Sequence, residues 1–361
     1  MKAQWFGRVL LLAGLLCLVT GTVTAQQYTM VHLGFNGNGS SPLYGFNNQG
    51  DIVGYDEQTN TPFRFTAGAL TFFGAANTGA AAINNGGQIV INTPSDHAAI
   101  TGIYTIPTQP PMLIPYYVDL GSLYSGGHSR AYAINDSGTI VGFSADAAST
   151  VSHAFVYSFS SNHMSDLGTL GTTSMARAIN NSGQIVGESL SSAGYRRAFQ
   201  MVNGTMTDLD PANPAYDSYA TGINDAGQII VVTNKAWHLV QVSRQKLLWV
   251  AYRGSIWYTL LYNGSTYTDL GNLGLAAGTF GASINTGGDV VGMTNVAGPQ
   301  QHAFLYHAGF MTDLNNYVTN LAGWRLVLAN NINDWGQIVC LGLSPTGHYE
   351  IVLLTPSGPP V

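Results

Sequence analysis

Charge is scarce in this 361-residue chain: lysine, arginine, aspartate and glutamate together make up 8% of it, against roughly 25% in average soluble proteins. The formal net charge is −6, and beyond residue 25 the only lysines are Lys235 and Lys246. No basic patch can be assembled from so few cations, which excludes nucleic acid as a partner. Cysteine is almost absent. Of the two in the chain, Cys17 lies in an N-terminal apolar run and Cys340 stands alone, so no internal disulfide forms and stability must come from packing.

Long apolar runs are missing too. The one candidate, Val9 to Val19, is shorter than the roughly 20 residues of a membrane-spanning helix. With Lys2 and Arg8 before it and Val23-Thr24-Ala25 after it, it reads as a secretory signal over residues 1–25. Leu16 precedes Cys17 where a lipoprotein signal needs a small residue. The expectation is an exported protein, extracellular or periplasmic, with no membrane span in the mature chain. Catalytic signatures are also lacking: there is no Gly-x-Ser-x-Gly elbow, His-Glu-x-x-His, P-loop or paired-cysteine metal motif.

Glycine, by contrast, is abundant, with 44 residues, which favours many turns over long helices. One phrase occurs seven times: an apolar residue, Asn, two variable residues, Gly, one variable residue, then apolar residues. Its asparagines are Asn47, Asn84, Asn135, Asn180, Asn224, Asn285 and Asn333, at intervals of 37, 51, 45, 44, 61 and 48. Such spacing suits the roughly 40–50 residues of a four-stranded propeller blade. The Gly supplies left-handed backbone for a tight hairpin, and the Asn side chain can bond the turn backbone.

A second phrase follows, as His153-Ala154-Phe155, Arg197-Ala198-Phe199 and His302-Ala303-Phe304. A third closes the unit, as Ser165-Asp166-Leu167-Gly168 and Thr268-Asp269-Leu270-Gly271. With the small-residue run before each Asn, these make four short strands per unit. The last unit ends at Tyr349–Leu354 without its Asp-Leu-Gly strand, whereas Tyr28–Gly34 resembles that strand. The fold class expected is therefore all-β: a seven-bladed propeller over residues 26–356, closed by pairing of the N-terminal strand with the last blade, and a disordered tail at 357–361.

The three phrases in fixed order resemble the bacterial extracellular HAF-repeat family, named for His-Ala-Phe, over about residues 28–355. The resemblance implies export and a propeller-like fold, and brings no activity with it. Many relatives end in a Pro-Glu-Pro sorting tail, which the closing Thr355-Pro356-Ser357-Gly358 does not reproduce.

Residues repeated in every blade are spread around a ring, so His97, His153 and His302, like Asp119, Asp166, Asp208, Asp269 and Asp313, cannot converge on one metal. They read as framework. Neither metal nor cofactor is expected, and no residue is assigned a catalytic role. Departures from the repeat are better candidates for contact with a ligand or partner. The 61-residue interval holds an extra hairpin, Ala236–Val240 against Leu247–Val250, bearing Trp237 and Trp249, with Arg253 and Trp257 beyond it; aromatics beside arginine mark binding hot spots. Loops on the face where propeller ligands usually sit offer Tyr55, Glu57, Asp146, Glu188 and Arg196. A monomeric, non-catalytic propeller binding a carbohydrate or protein is the reading favoured. The alternative is a polysaccharide hydrolase or lyase using Asp146 and Glu188, which requires the two carboxyls about 5–10 Å apart in one pocket.

Overall fold

A computed structural model describes residues 26–37, 45–56, 59–76, 78–106, 112–159, 161–210, 215–243, 246–274, 278–296 and 300–358, without the side chains of 35–37, 103–106, 112–115, 235–243 and 246–255. Its described residues form 28 strands in seven antiparallel sheets of four. Within each of blades one to six the four strands follow chain order from the channel outward. Blade seven takes three strands from the C-terminal end and its fourth from residues 28–37. Tyr28 pairs with Pro356, Met30 with Leu354 and His32 with Val352, which is the closure expected from the sequence.

The size of the chain does not demand one large core. Seven apolar clusters each span the seam between two neighbouring blades, as when Val186, Ala198 and Leu209 of blade four meet Ala220, Ile229 and Leu260 of blade five. Strand alternation produces this. Ile140 packs toward blade two and its neighbour Val141 toward blade four, because successive side chains leave opposite faces of a strand. The aromatic of the His-Ala-Phe phrase is fully buried in four blades, as Phe63, Phe155, Phe199 and Phe304.

Each Asn-x-x-Gly turn links the inner strand to the second. In blade three the Gly138 N–H donates to the Asn135 carbonyl at 3.0 Å, and Gly138 has φ +79°. The asparagine does more than shape its own turn. Its Oδ1 accepts the N–H four residues on, at 2.9 Å in all seven blades. Its Nδ2 donates to the carbonyl of the equivalent Asn in the next blade, and the seventh bond, Asn333 to Asn47, returns to the start, at 2.9–3.4 Å around the ring. This is a second closure, independent of the shared strand. Asn180→Asp keeps the acceptor but sets a buried carboxylate against the Asn224 carbonyl. Loss of that donor is expected to cost about 2 kcal/mol, read as a lower urea midpoint with unchanged m-value.

The recurrent histidines pair with the recurrent aspartates of blades two, three and six. His153 Nδ1 lies 2.7 Å from Asp166, His302 Nδ1 2.7 Å from Asp313 and His97 Nδ1 3.1 Å from Asp119. Arg197 replaces the histidine in blade four and reaches Asp208 at 2.9 Å. The aspartate also caps its turn, as where the Gly168 N–H donates to Asp166 at 2.7 Å. Blade seven carries the pair reversed: Glu350 stands on the third strand and His32 on the fourth, 3.3 Å apart.

Candidate binding site

Among the described residues the inner strands line an axial channel that holds the following two cavities. One, of about 220 Å³, opens among the Asn-x-x-Gly turns; the other, of about 260 Å³, lies further along the strands. Phe46, Ile83, Ile134, Ile179, Ile223 and Ile284 border both. An apolar collar thus divides the channel into a turn-side mouth and a chamber.

The turn-side mouth is nearly uniform. The residues that follow the ring asparagines are Asn48, Asn85, Asp136, Asn181, Asp225, Thr286 and Asp334. The Asp136 carboxylate accepts from the Asn85 and Asn181 amides at 3.0 and 3.1 Å, Asp225 from Asn181 at 2.9 Å, and Asp334 from Asn48 at 2.7 Å. Every carboxylate there is tied into the seam between blades, and among the described residues no group of three or more metal-ligating side chains occurs.

The chamber is different, and a backbone irregularity makes it so. In six inner strands the pairing with the second strand slips by one residue, at Ala81, Tyr132, Arg177, Thr221, Ala282 and Asn330. Each slip is a β-bulge, which re-aims a side chain out of the regular alternation. Five of these six residues line the chamber. The strands are crushed together beside the bulge: a Cβ on Gly142, Gly187 or Gly292 would stand 1.9–2.0 Å from a carbonyl oxygen of the facing strand. The closing Gly of the Ile-Val-Gly phrase therefore permits this approach.

The bulge residues are not alike. Ala81 and Ala282 present methyl groups, while Tyr132, Arg177 and Thr221 on consecutive blades form one polar and aromatic arc. Arg177 Nη2 donates to Glu188 Oε1 at 3.2 Å, and its guanidinium lies 5.6 Å from the centre of the Tyr219 ring, within cation–π range. Tyr219 is braced by Trp257 and Phe280, with centroids at 5.3 and 6.1 Å, and Tyr132 stacks on Phe143 at 5.9 Å. Burial pushes the Tyr132 phenol up, and pushes Tyr219 up to about 12, so both stay protonated donors near neutral pH.

The residues expected from sequence scatter. Glu188 is not in a loop but within the second strand of blade four, Ile185–Ser191, beside Arg177. Tyr55 likewise belongs to a strand, Ile52–Asp56. Arg196 opens the third strand of blade four, is exposed, and its N–H donates to Asp217 at 2.8 Å. Asp146 caps its own loop, accepting the Thr150 and Val151 N–H groups at 2.7 and 2.8 Å and the Thr150 hydroxyl at 2.7 Å. The Val151 N–H above all, with the Thr150 hydroxyl, holds its carboxyl below the ordinary range. Trp257 is partly buried against Tyr219.

The insertion extends the second and third strands of blade five, Ile229–Ser243 and Lys246–Tyr262, whose pairing slips between Lys235 and Trp237. Its backbone register sets Trp237 opposite Ala251 and Leu239 opposite Trp249. The side chains of Trp237, Trp249 and Arg253, and all of Glu57, lie outside the described residues, as do residues 1–25, where a secretory signal is expected, and Pro107–Pro111. Cys340 is buried, and burial pushes its thiol up, in keeping with an inert packing residue. Sequence reasoning passed over Tyr132, Arg177 and Thr221. A usable signal existed: three residues before the repeat Asn is the place where small residues alternate with Tyr, Arg, Thr and Asn.

No protein-family model matches the chain, and no curated protein matches it. Solved structures do. The β-propeller domain of the Trilobed protease from Pyrococcus furiosus, described as having an open velcro topology, is 12% identical with TM-score 0.51, over 91% of this chain and 93% of that one. YCF48 bound to D1 peptide is 13% identical with TM-score 0.53, over 93% and 99%. A puromycin hydrolase is 12% identical with TM-score 0.53, over 88% of this chain but only 52% of that one. At such identities the likeness concerns the fold alone: this chain is a seven-bladed β-propeller, closed by its N-terminal strand.

Proposed function

We propose that this is an exported, non-catalytic HAF-repeat propeller that binds a carbohydrate or a protein in the chamber of its channel. The observation that carries the reading is the inequality of the bulge residues. A ring made of near-identical phrases needs only framework residues to fold, yet Tyr132, Arg177 and Thr221 stand where blades two and six carry alanine. Polar and aromatic groups converging in a concavity are what a binding site requires, and the framework does not account for them. Export rests on the N-terminal apolar run between Lys2 and Arg8 on one side and Val23-Thr24-Ala25 on the other.

Filling the chamber tests the reading. Ala282→Trp places an indole in the channel from blade six, next to Thr221, and leaves Arg177 and Tyr132 in place. Glycan and peptide arrays probed with wild type, Ala282→Trp and a Trp249→Ala/Arg253→Ala double variant separate the candidates. The expected result is that Ala282→Trp weakens wild-type hits by about tenfold or more, equivalent to about 1.4 kcal/mol, while the double variant binds as wild type. The opposite pattern moves the site to the blade-five hairpin and overturns the proposal.

A further inference from the structure

The geometry points to a neutral, hydroxyl-rich ring, a pyranose unit of a glycan, as the ligand of the chamber. This inference rests on the chamber being the binding site.

Its starting point is an ion pair that is incompletely satisfied. Arg177 and Glu188 meet through a single contact, Nη2 to Oε1 at 3.2 Å, instead of the two parallel bonds that an arginine fork and a carboxylate can form. Arg177 Nε and Glu188 Oε2 are both buried and have no hydrogen-bond partner. A buried donor and a buried acceptor are thus left open within one ion pair. Buried polar groups are nearly always bonded, and an exception calls for an explanation.

The chemistry of the missing partner follows from that pairing. A ligand carboxylate accepts from arginine but is repelled by Glu188. A ligand ammonium donates to Glu188 but is repelled by Arg177. The pair is formally neutral, so no net field favours either ion. A hydroxyl both donates and accepts, and two neighbouring hydroxyls of a sugar answer both groups at once. The Arg177 side chain is 32% exposed and held by one long bond and the face of Tyr219, so a modest swing of the guanidinium opens both groups to the channel.

The walls suit the same ligand. A pyranose has apolar C–H faces and a polar rim, matching aromatic faces flanked by polar groups. Tyr132 lines the chamber and is stacked on Phe143, while Tyr219 backs the Arg177 guanidinium from blade five and is itself braced by Trp257. The chamber, about 260 Å³, falls below the roughly 300–1,000 Å³ of pockets for drug-sized ligands, which favours one sugar ring over a folded peptide segment.

Calorimetric titration of the full mature chain with cellohexaose, chitohexaose, maltohexaose, trigalacturonate and hexalysine tests this. At least one neutral oligosaccharide is expected to bind, and Arg177→Ala and Tyr219→Ala should each weaken it by about tenfold, the scale of one hydrogen bond to a charged group. Glu188→Gln leaves Arg177 uncompensated and should turn preference toward trigalacturonate, a change that a merely structural role would not produce. Melting curves of the variants establish that they are folded. Trigalacturonate binding wild type more tightly than every neutral probe and losing affinity in Arg177→Ala, or hexalysine doing so and losing affinity in Glu188→Gln, overturns the ligand class while leaving the chamber as the site. Neutral-glycan binding unchanged by Arg177→Ala and Ala282→Trp overturns the chamber itself. Absence of binding by all five probes at millimolar concentration overturns the inference.

Discussion

Deletion of residues 26–37 is expected to lower the melting temperature of the propeller by about 10 °C or more, and to make unfolding irreversible. That segment supplies the fourth strand of blade seven and buries Tyr28, Met30 and Leu33. Burial of three such side chains is worth about 1.5–3 kcal/mol each, an upper estimate because the unfolded chain already hides some surface. About 5 kcal/mol is a large part of the 5–15 kcal/mol that holds a typical domain together, and each kcal/mol moves the melting point of a larger domain by about 2–4 °C. The deletion also exposes the edge of the strand Tyr349–Pro356, a template for association with other chains. Addition of a peptide of residues 26–37 in trans should restore part of the loss. Scanning calorimetry showing an unchanged transition in the truncated chain would mean that the asparagine ring alone closes the propeller.

The second large effect is expected at Asp208. Arg197 is only 2% exposed; it donates to Asp208 at 2.9 and 3.2 Å, to the Tyr216 carbonyl at 2.9 Å and to the Asp210 carbonyl. Asp208→Ala leaves a buried guanidinium without its counter-charge, which costs about 3–5 kcal/mol in comparable pairs. Because the Asp208 side chain is 26% exposed, water enters and the lower end applies. Asp166→Ala removes the equivalent carboxylate of blade three, where the His153 and Asp166 side chains are 24% and 45% exposed. Its cost should be about 1 kcal/mol or less, as for other exposed pairs. Chemical denaturation of both variants checks the contrast. Equal losses would show that the phrase, and not the burial of its members, sets the energy. Replacing both partners of the blade-four pair by apolar residues should recover most of the stability, since the desolvation of the pair is removed with it.

The Asp208 contrast illustrates why repeats could be counted before their energies could be assigned. Strand number, turn position and blade phase are local properties: a period of two buries alternate residues, and Gly138 and its equivalents take left-handed backbone because the turn demands it. Even closure was legible, since Tyr28–Gly34 carries the phrase that the last unit lacks. The framework role of the histidines and aspartates followed from their recurrence, although their pairing with one another within a blade did not.

The all-β class, the seven four-stranded units and the strand that joins the two ends were thus legible in the chain alone, because each depends on residues adjacent in the chain or on repetition. Tertiary structure alone decided that each ring asparagine bonds its neighbour across the seam between blades, with partners 37 to 286 residues away, and that the inner strands bulge toward the channel. A bulge is a mismatch in residue count between two paired strands, so no single strand records it. It turns Arg177 into the chamber beside Glu188 and between Tyr132 and Tyr219, and thereby selects, from seven nearly equal blades, the arc that differs from the rest.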